Sequence, residues 1–458
     1  MTETLKCISP IDGSVFAERH VMGKAEAADA IARARAAQVA WAARPMRERI
    51  ELVLAGVAAV GAMNDEIVPE LAHMMGRPVR YGGEFGGFTE RASYMASIAE
   101  EALADIKIAD DAQFRRYIRR VPHGVVLVVA PWNYPYMTAI NTIAPALMAG
   151  NVVVLKHATQ TLLVGERMVR AFQSVGVPED VFTNVFLDHD TTSNLIASRA
   201  FDFVNFTGSV GGGKAMERAA AGTFIAVATE LGGKDPGYVM DDADLDAAAA
   251  TLIDASMYNS GQCCCGIERI YVAEQHYDAF LQKAVAIASE YKLGNPLDEA
   301  TTIGPMANVR FAREVRAQIA EAVEAGAKAH IDTFAEDDGA AYLTPQILTS
   351  VDHSMRVMRE ESFGPVVGIM KVKDDDEAVA LMNDCDYGLT ASLWTRDVER
   401  AARIGDRIET GTVFMNRADY LDPALCWTGC KDTGRGGGLS VIGYQNLTRP
   451  KSYHLKKA

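Results

Sequence analysis

The chain has 458 residues, 49% of them hydrophobic, which is enough for two or three domains with sizeable cores. Its formal net charge of −15 argues against nucleic acid or an anionic membrane surface as a bulk partner, though not against a local phosphate pocket. Seven cysteines, three of them adjacent, make a poor disulfide framework, so a reducing cytoplasmic setting is expected.

The start, Met1-Thr2-Glu3-Thr4-Leu5, lacks a charged-then-apolar signal pattern, and no apolar run approaches the length of a membrane span. Residues 24–43 are alanine-rich with apolar residues at helical spacing, and similar segments continue to about residue 105. The stretch 113–121, QFRRYIRRV, is basic and partly alternating, as a strand at an edge or subunit contact would be. From His123 the pattern changes. Apolar runs at 124–130, 151–155, 181–187, 202–206 and 224–229 alternate with helical segments around 138–149, 161–175, 190–199 and 209–221. Short, Val-rich strands joined by crossover helices predict a parallel sheet covered on both faces.

A second alternating series follows Glu230. Its strands are expected at 236–240, 268–273, 365–371, 390–395 and 411–415, and its helices at 244–258, 275–291, 308–325, 375–384 and 397–408. Two α/β units of similar size predict a ligand cleft between them. The tail 449–456, RPKSYHLK, is too short and polar for its own core; it reads as a strand for another subunit or as a surface tail.

Several residues at strand ends are placed to do chemistry, because ligands of open α/β sheets sit outside the carboxyl ends of the strands. Asn133, in Pro131-Trp132-Asn133-Tyr134-Pro135, is positioned to donate to an oxyanion or to cap a helix; Trp132 is a pocket wall or core. Lys156 follows a buried strand where a nucleotide ribose or phosphate belongs. Gly208 and Ser209, in Phe206-Thr207-Gly208-Ser209, open a helix whose N–H groups suit a pyrophosphate. Glu230, in Glu230-Leu231-Gly232-Gly233-Lys234-Asp235-Pro236, is a candidate general base or an ion-pair partner of Lys234.

The run Asn259-Ser260-Gly261-Gln262-Cys263-Cys264-Cys265-Gly266 supplies a candidate thiol nucleophile, Cys264, or an inert buried cluster. Cys263 and Arg269 have the C-x₅-R spacing of a tyrosine-phosphatase loop, but Glu268 beside the arginine opposes a phosphate dianion. Glu268 competes on spacing with Glu230 as a base, and Arg269 beside it points to a surface role. A metal on the cysteines with Cys426 and Cys430 is disfavoured, since no C-x₂-C pair or ligand-spaced histidine is present, and no metal is expected.

Together with Glu360-Glu361-Ser362-Phe363-Gly364-Pro365-Val366, these motifs stand in the order and spacing of the NAD(P)-dependent aldehyde dehydrogenase superfamily, which the chain resembles over nearly its whole length. The resemblance implies an α/β fold with a Rossmann-like cofactor domain (1–103 and 123–231), a second α/β catalytic domain (232–430) and a small β oligomerisation element (104–122 and 431–458). It implies a homodimer or homotetramer acting on a small aldehyde with NAD or NADP. Cys264 would be the nucleophile, Asn133 with the Cys264 backbone N–H the oxyanion hole, and Glu230 the activator of water. Trp132, Lys156, Thr159, Gly208, Ser209, Glu361 and Phe363 would contact the cofactor. Relatives that transfer the acyl group to coenzyme A lack a glutamate at the place of Glu230, so hydrolysis to a free acid is implied.

The sequence departs from the family pattern twice. Lys156-His157-Ala158-Thr159 stands where many members read Lys-Pro-Ser-Glu, and without that glutamate NADP is admissible beside NAD. Gly211-Gly212-Gly213 stands where bulkier residues are common, which either loosens the pyrophosphate site or allows closer approach. Tyr136, Met137, Met257, Tyr420, Leu425, Cys426 and Trp427 are expected around a largely apolar substrate pocket, which suggests a medium aliphatic or aromatic aldehyde. A semialdehyde of the succinate type would need a cationic anchor, for which Arg417 is a candidate. The remaining alternative is a non-catalytic binding member of the fold.

Overall fold

Where both faces of a sheet are covered, a strand can be apolar at every position, and this is how the first α/β unit is built. In a computed structural model, which describes residues 3–331 and 339–457, strands Val125–Ala130 and Val152–His157 are buried at every residue. Met1 and Thr2 of the N-terminal reading, 332–338 within the segment 232–430, and Ala458 lie outside the described residues. The two strands join Phe182–Asn184, Phe203–Thr207 and Ala226–Glu230 in a five-stranded parallel sheet. Counted along the chain, the order is third, second, first, fourth, fifth. That is the doubly wound order, with its switch point between Val125–Ala130 and Phe203–Thr207. The turns after these two strands carry Trp132-Asn133 and Gly208-Ser209.

The second sheet has seven strands, in the order Lys328–Ala329, Gln346–Thr349, Val366–Val372, Ile267–Ala273, Asp235–Val239, Thr390–Trp394 and Thr412–Met415. All pairs are parallel except the first. The five expected strands are present. Gln346–Thr349 and the hairpin Thr4–Ile8 with Val15–His20 are additional strands, which the sequence does not announce.

The basic stretch forms strand Phe114–Pro122, and the tail forms Thr448–Lys456. They pair with each other, from Thr448↔Pro122 to Lys456↔Phe114, so the tail finds its partner within its own chain. Ile106–Asp110 completes this three-stranded antiparallel sheet. Tyr117 and Tyr453 stack at 4.6 Å with the Arg119 guanidinium over both rings, which spaces the like charges of the stretch. Within 431–458 only the last strand joins this sheet. Helix Ser440–Asn446 buries Tyr444 against helix Phe85–Ala102, with the Tyr444 hydroxyl donating to the Met95 carbonyl at 2.8 Å. Among the described residues no single helix is long and apolar enough to cross a membrane.

Candidate active site

The cysteine loop is bent by three consecutive residues in the left-handed region, Asn259 (φ 54°), Ser260 (φ 58°) and Gly261 (φ 69°). Such backbone costs about 1–2 kcal/mol for each non-glycine residue and persists only where other contacts hold it. Here they do. The Ser260 hydroxyl donates to the Gly304 carbonyl at 2.9 Å, and Ala307 N–H donates to Gln262 Oε1 at 2.8 Å. A Cβ on Gly261 would stand 2.2 Å from the Gly364 carbonyl oxygen, so only glycine fits.

The three thiols separate cleanly. Cys263 and Cys265 are buried, 4% and 1% exposed, and both donate to Asp419 Oδ1, at 3.1 and 3.0 Å. Cys264 between them is half-buried and lines a cavity of about 330 Å³. Its thiol is held well below the ordinary range, first by the thiols of Cys263 and Cys265, whose sulfurs lie within 4.8 Å, then by the Cys265 backbone N–H and the Arg91 guanidinium; burial opposes this. Cys426 and Cys430 do not join the cluster: Cys430 donates to the Glu409 carbonyl at 3.0 Å and Cys426 packs on Gly437.

Glu230 ends strand Ala226–Glu230 and lines the same cavity. It is 9% exposed and accepts a hydrogen bond from the Thr207 hydroxyl at 3.3 Å. Burial first, and then the charge of Cys264, raises its pKa to about 7. The alternative ion pair with Lys234 is not formed. Lys234 instead meets Glu268 at 2.5 Å, both buried, because Glu268 lies on strand Ile267–Ala273 beside Asp235–Val239. The surface role expected for Glu268 is therefore corrected. Glu268 accepts the backbone N–H groups of Ser362 and Phe363 at 2.7 and 2.8 Å, while Arg269 donates to the carbonyls of Lys234, Leu381 and Met382. The C-x₅-R spacing has no phosphate cradle behind it.

Asn133 is buried, yet its side-chain amide makes no hydrogen bond among the described residues, and neither does the Cys264 backbone N–H. Asn133 is not the cap of helix Pro135–Met148. Glu84 takes that place, accepting the N–H groups of Tyr136 and Met137 at 2.9 and 2.7 Å. Glu84 is paired with Arg77 at 2.6 Å in full burial, and Arg77 donates to the Asn133 carbonyl at 2.6 Å and to Asn259 Oδ1 at 3.3 Å. One buried ion pair thus ties the asparagine turn to the cysteine loop. Nothing near residues 77–84 in the sequence marks it, since its partners lie 52 and more positions away. Glu84→Gln leaves the Arg77 charge buried without its counterion and should cost about 3–5 kcal/mol, measured by denaturant unfolding.

Beside the switch point stand groups that suit a dinucleotide. Ser209 caps helix Val210–Ala220 by accepting from Gly212 N–H at 3.2 Å, which leaves the N–H groups of Val210 and Gly211 without acceptors. Gly212 and Gly213 serve close approach: a Cβ would stand 2.4 Å from the Phe206 ring at Gly212 and 2.7 Å from Leu231 at Gly213, while Gly211 faces open space. Gly208 also packs on the Phe206 ring. Lys156 is 7% exposed and, rather than reaching water, keeps an amine with no hydrogen bond or ion pair among the described residues; burial lowers its pKa. Thr159 opens the short turn Thr159–Thr161. His157 is neutral, its pKa pushed down by burial to about 4, and bridges the Pro135 carbonyl and the Thr161 hydroxyl. The Glu361 carboxylate accepts from Gly233 N–H at 3.2 Å. Trp132 stacks on Phe311 at 5.2 Å and meets Phe363 edge-on at 5.5 Å.

Of the expected substrate pocket, Met137, Tyr420 and Trp427 line the cavity with Cys264. Tyr136 turns instead into a buried aromatic cluster with Phe85 and Phe88, Met257 is sealed in the core, and Leu425 points to solvent. Cys426 and Arg417 lie outside the lining; Arg417 stacks 3.5 Å over the Tyr420 ring from an exposed position. A larger, open groove of about 680 Å³, lined by Asp241, Asp374, Asp375 and Arg400, holds none of these groups.

Residues 1–453 match the model of the aldehyde dehydrogenase family. The chain is 31% identical to the NADP-dependent succinate-semialdehyde dehydrogenase of Deinococcus radiodurans, over 97% of this chain and 93% of that one. It is 32% identical to the 3-sulfolactaldehyde dehydrogenase of Pseudomonas putida, over 98% and 93%. Its fold superposes on the NADP-dependent glyceraldehyde-3-phosphate dehydrogenase of Bacillus halodurans, solved with NADP, with a TM-score of 0.94, 31% identity and coverage of 100% and 96%.

Proposed function

The chain belongs to the aldehyde dehydrogenase family, and we propose that it oxidises a small aldehyde to the carboxylic acid with NAD or NADP, through a covalent intermediate on Cys264. The observation that carries this reading is the shared cavity: a half-exposed thiol of lowered pKa and a buried carboxylate of raised pKa face the same 330 Å³ space.

The Cys264 thiolate attacks the aldehyde carbonyl and forms a carbon–sulfur bond. The oxyanion that results is met by two donors not engaged elsewhere, the Asn133 amide and the Cys264 N–H. Losing one such donor typically slows a reaction by about 10²–10³-fold. A bound nicotinamide would supply the hydride acceptor; with the hydride gone, the adduct on Cys264 would be a thioester. Glu230 as its carboxylate takes a proton from water, the hydroxide adds to the thioester carbonyl, and the Cys264 thiolate leaves. For the cofactor, Val210 and Gly211 N–H groups would receive the pyrophosphate, Lys156 the adenosine ribose side, and Glu361 the nicotinamide ribose, with Trp132 and Phe363 alongside. Thr159 is a neutral residue where many family members carry a glutamate, and Lys156 is a nearby cation in the sequence, which supports use of NADP.

Initial rates of NADH and NADPH formation over a panel of aldehydes test the reading; no reduced cofactor with any aldehyde refutes it. In the same assay, Thr159→Glu should lower kcat/KM for NADP by about tenfold or more while sparing NAD, because the new carboxylate repels the 2′-phosphate. We further propose a cytoplasmic homodimer or homotetramer assembled through the three-stranded sheet, supported by the unpaired outer edge of Thr448–Lys456.

A further inference from the structure

The polar groups around the cavity differ in one respect: the acids have partners and some of the donors do not. Glu90 accepts from the Tyr420 hydroxyl at 2.7 Å, Asp419 from two thiols, and Glu230 from Thr207. Arg91, on helix Phe85–Ala102, is 7% exposed and lines the cavity. Its Nη1 donates to the Met137 carbonyl at 3.0 Å and to Asn141 Oδ1 at 3.3 Å. Its Nε is buried without an acceptor, Nη2 makes no hydrogen bond, and no carboxylate pairs with it among the described residues. Asn141, which also lines the cavity, spends its oxygen on Arg91 and leaves its own buried Nδ2 without an acceptor.

A buried guanidinium without a counterion and a buried amide without an acceptor are both expensive, unless a ligand completes them. We propose that Arg91, with Asn141 orienting it, is the specificity-determining anchor for an anionic substituent, so that the substrate is an aldehyde carrying a carboxylate. Such a group brings the acceptors and the negative charge that this wall lacks. The planar fork of an arginine matches a carboxylate in two hydrogen bonds, and Nη1 is already fixed by Met137 and Asn141, so little freedom is lost on binding. Arg417, the cation anticipated for this task, is exposed over the Tyr420 ring and does not line the cavity. The neighbouring Cys264 and Glu230 charges oppose an anion next to them, which places the carboxylate at the far end of the substrate from its aldehyde carbon.

This inference rests on the proposed oxidation, and the test separates the two. Steady-state kinetics compare succinic semialdehyde with butanal, of equal chain length and no charge, for the native enzyme, Arg91→Met, Arg91→Lys and Asn141→Leu. The native enzyme should prefer the semialdehyde. Arg91→Met should lower its kcat/KM for the semialdehyde by about a hundredfold, chiefly through KM, and for butanal far less. Arg91→Lys should recover part of the preference, since it keeps the charge and loses the fork, and Asn141→Leu should lose part of it. Equal rates of the native enzyme on both aldehydes, or equal losses on both in Arg91→Met carried by kcat, would overturn the anchor and leave the oxidation standing. Absence of reduced cofactor with every aldehyde would remove the oxidation itself. If Arg91→Met does not fold, the lysine and leucine variants decide by the same ratio.

Discussion

Replacing Cys264 with alanine should abolish aldehyde-dependent reduction of NAD(P), a loss of at least about 10⁴-fold, as for other covalent nucleophiles, whereas Cys263→Ala and Cys265→Ala should remain active. The asymmetry comes from the loop. All three cysteines line the cavity, but Cys263 and Cys265 are buried with their thiols on one oxygen of Asp419, and of the three Cys264 alone is part-exposed. The flanking thiols still matter, because they are the first cause of the lowered Cys264 pKa. Removing either should move the pH dependence of Cys264 alkylation to higher pH while oxidation survives. Rapid-mixing traces of NAD(P)H formation, with iodoacetamide alkylation followed against pH, check both statements. An inactive Cys263→Ala beside an active Cys264→Ala would show that the nucleophile is in the wrong register.

Glu230→Gln should leave the first turnover nearly intact and depress steady-state turnover by about 10²–10⁴-fold, the range of a general base. Hydride transfer from the Cys264 adduct needs no proton acceptor at Glu230, whereas thioester hydrolysis needs its carboxylate. The sign of the pH effect follows from the raised pKa. Glu230 is protonated and idle below about 7 and ionised above it, so native kcat should fall as pH drops through 7. Glutamine cannot titrate, so that limb should vanish in the variant. Burst amplitude and kcat measured from pH 5.5 to 8.5, an interval of about 1.5 on either side of that value, test both points. A variant that turns over at the native rate would remove Glu230 from the mechanism.

The residues read most reliably from the sequence are those that follow strands in this fold. Asn133, Lys156, Ser209 and Glu230 each stand at the carboxyl end of a strand in the five-stranded sheet, and the run of apolar residues before each one announces that position. The triplet Cys263-Cys264-Cys265 was equally visible. The pairing of charges was not. Lys234 sits four positions after Glu230 and yet meets Glu268, because adjacent parallel strands bring Asp235 opposite Ile267. Met137 and Tyr136 are neighbours in sequence on one helix, but only Met137 faces the cavity. The tail Thr448–Lys456 was readable as a strand and not as the partner of Phe114–Pro122, more than 300 positions earlier.

By itself, then, the sequence determined the two α/β series, the strand-end polar groups and the cysteine loop, since each is encoded by local periodicity and by residues adjacent in the chain. The tertiary structure decided which thiol is free, which acid is ionised near neutrality, and that Arg77–Glu84 and Lys234–Glu268 hold the site's two loops in place. Those are properties of burial and of charges brought together from distant segments. Burial sets the desolvation that moves Glu230, and only packing shows that, among the described residues, Arg91 Nε is buried without an acceptor. No local pattern records what a side chain will meet across a core.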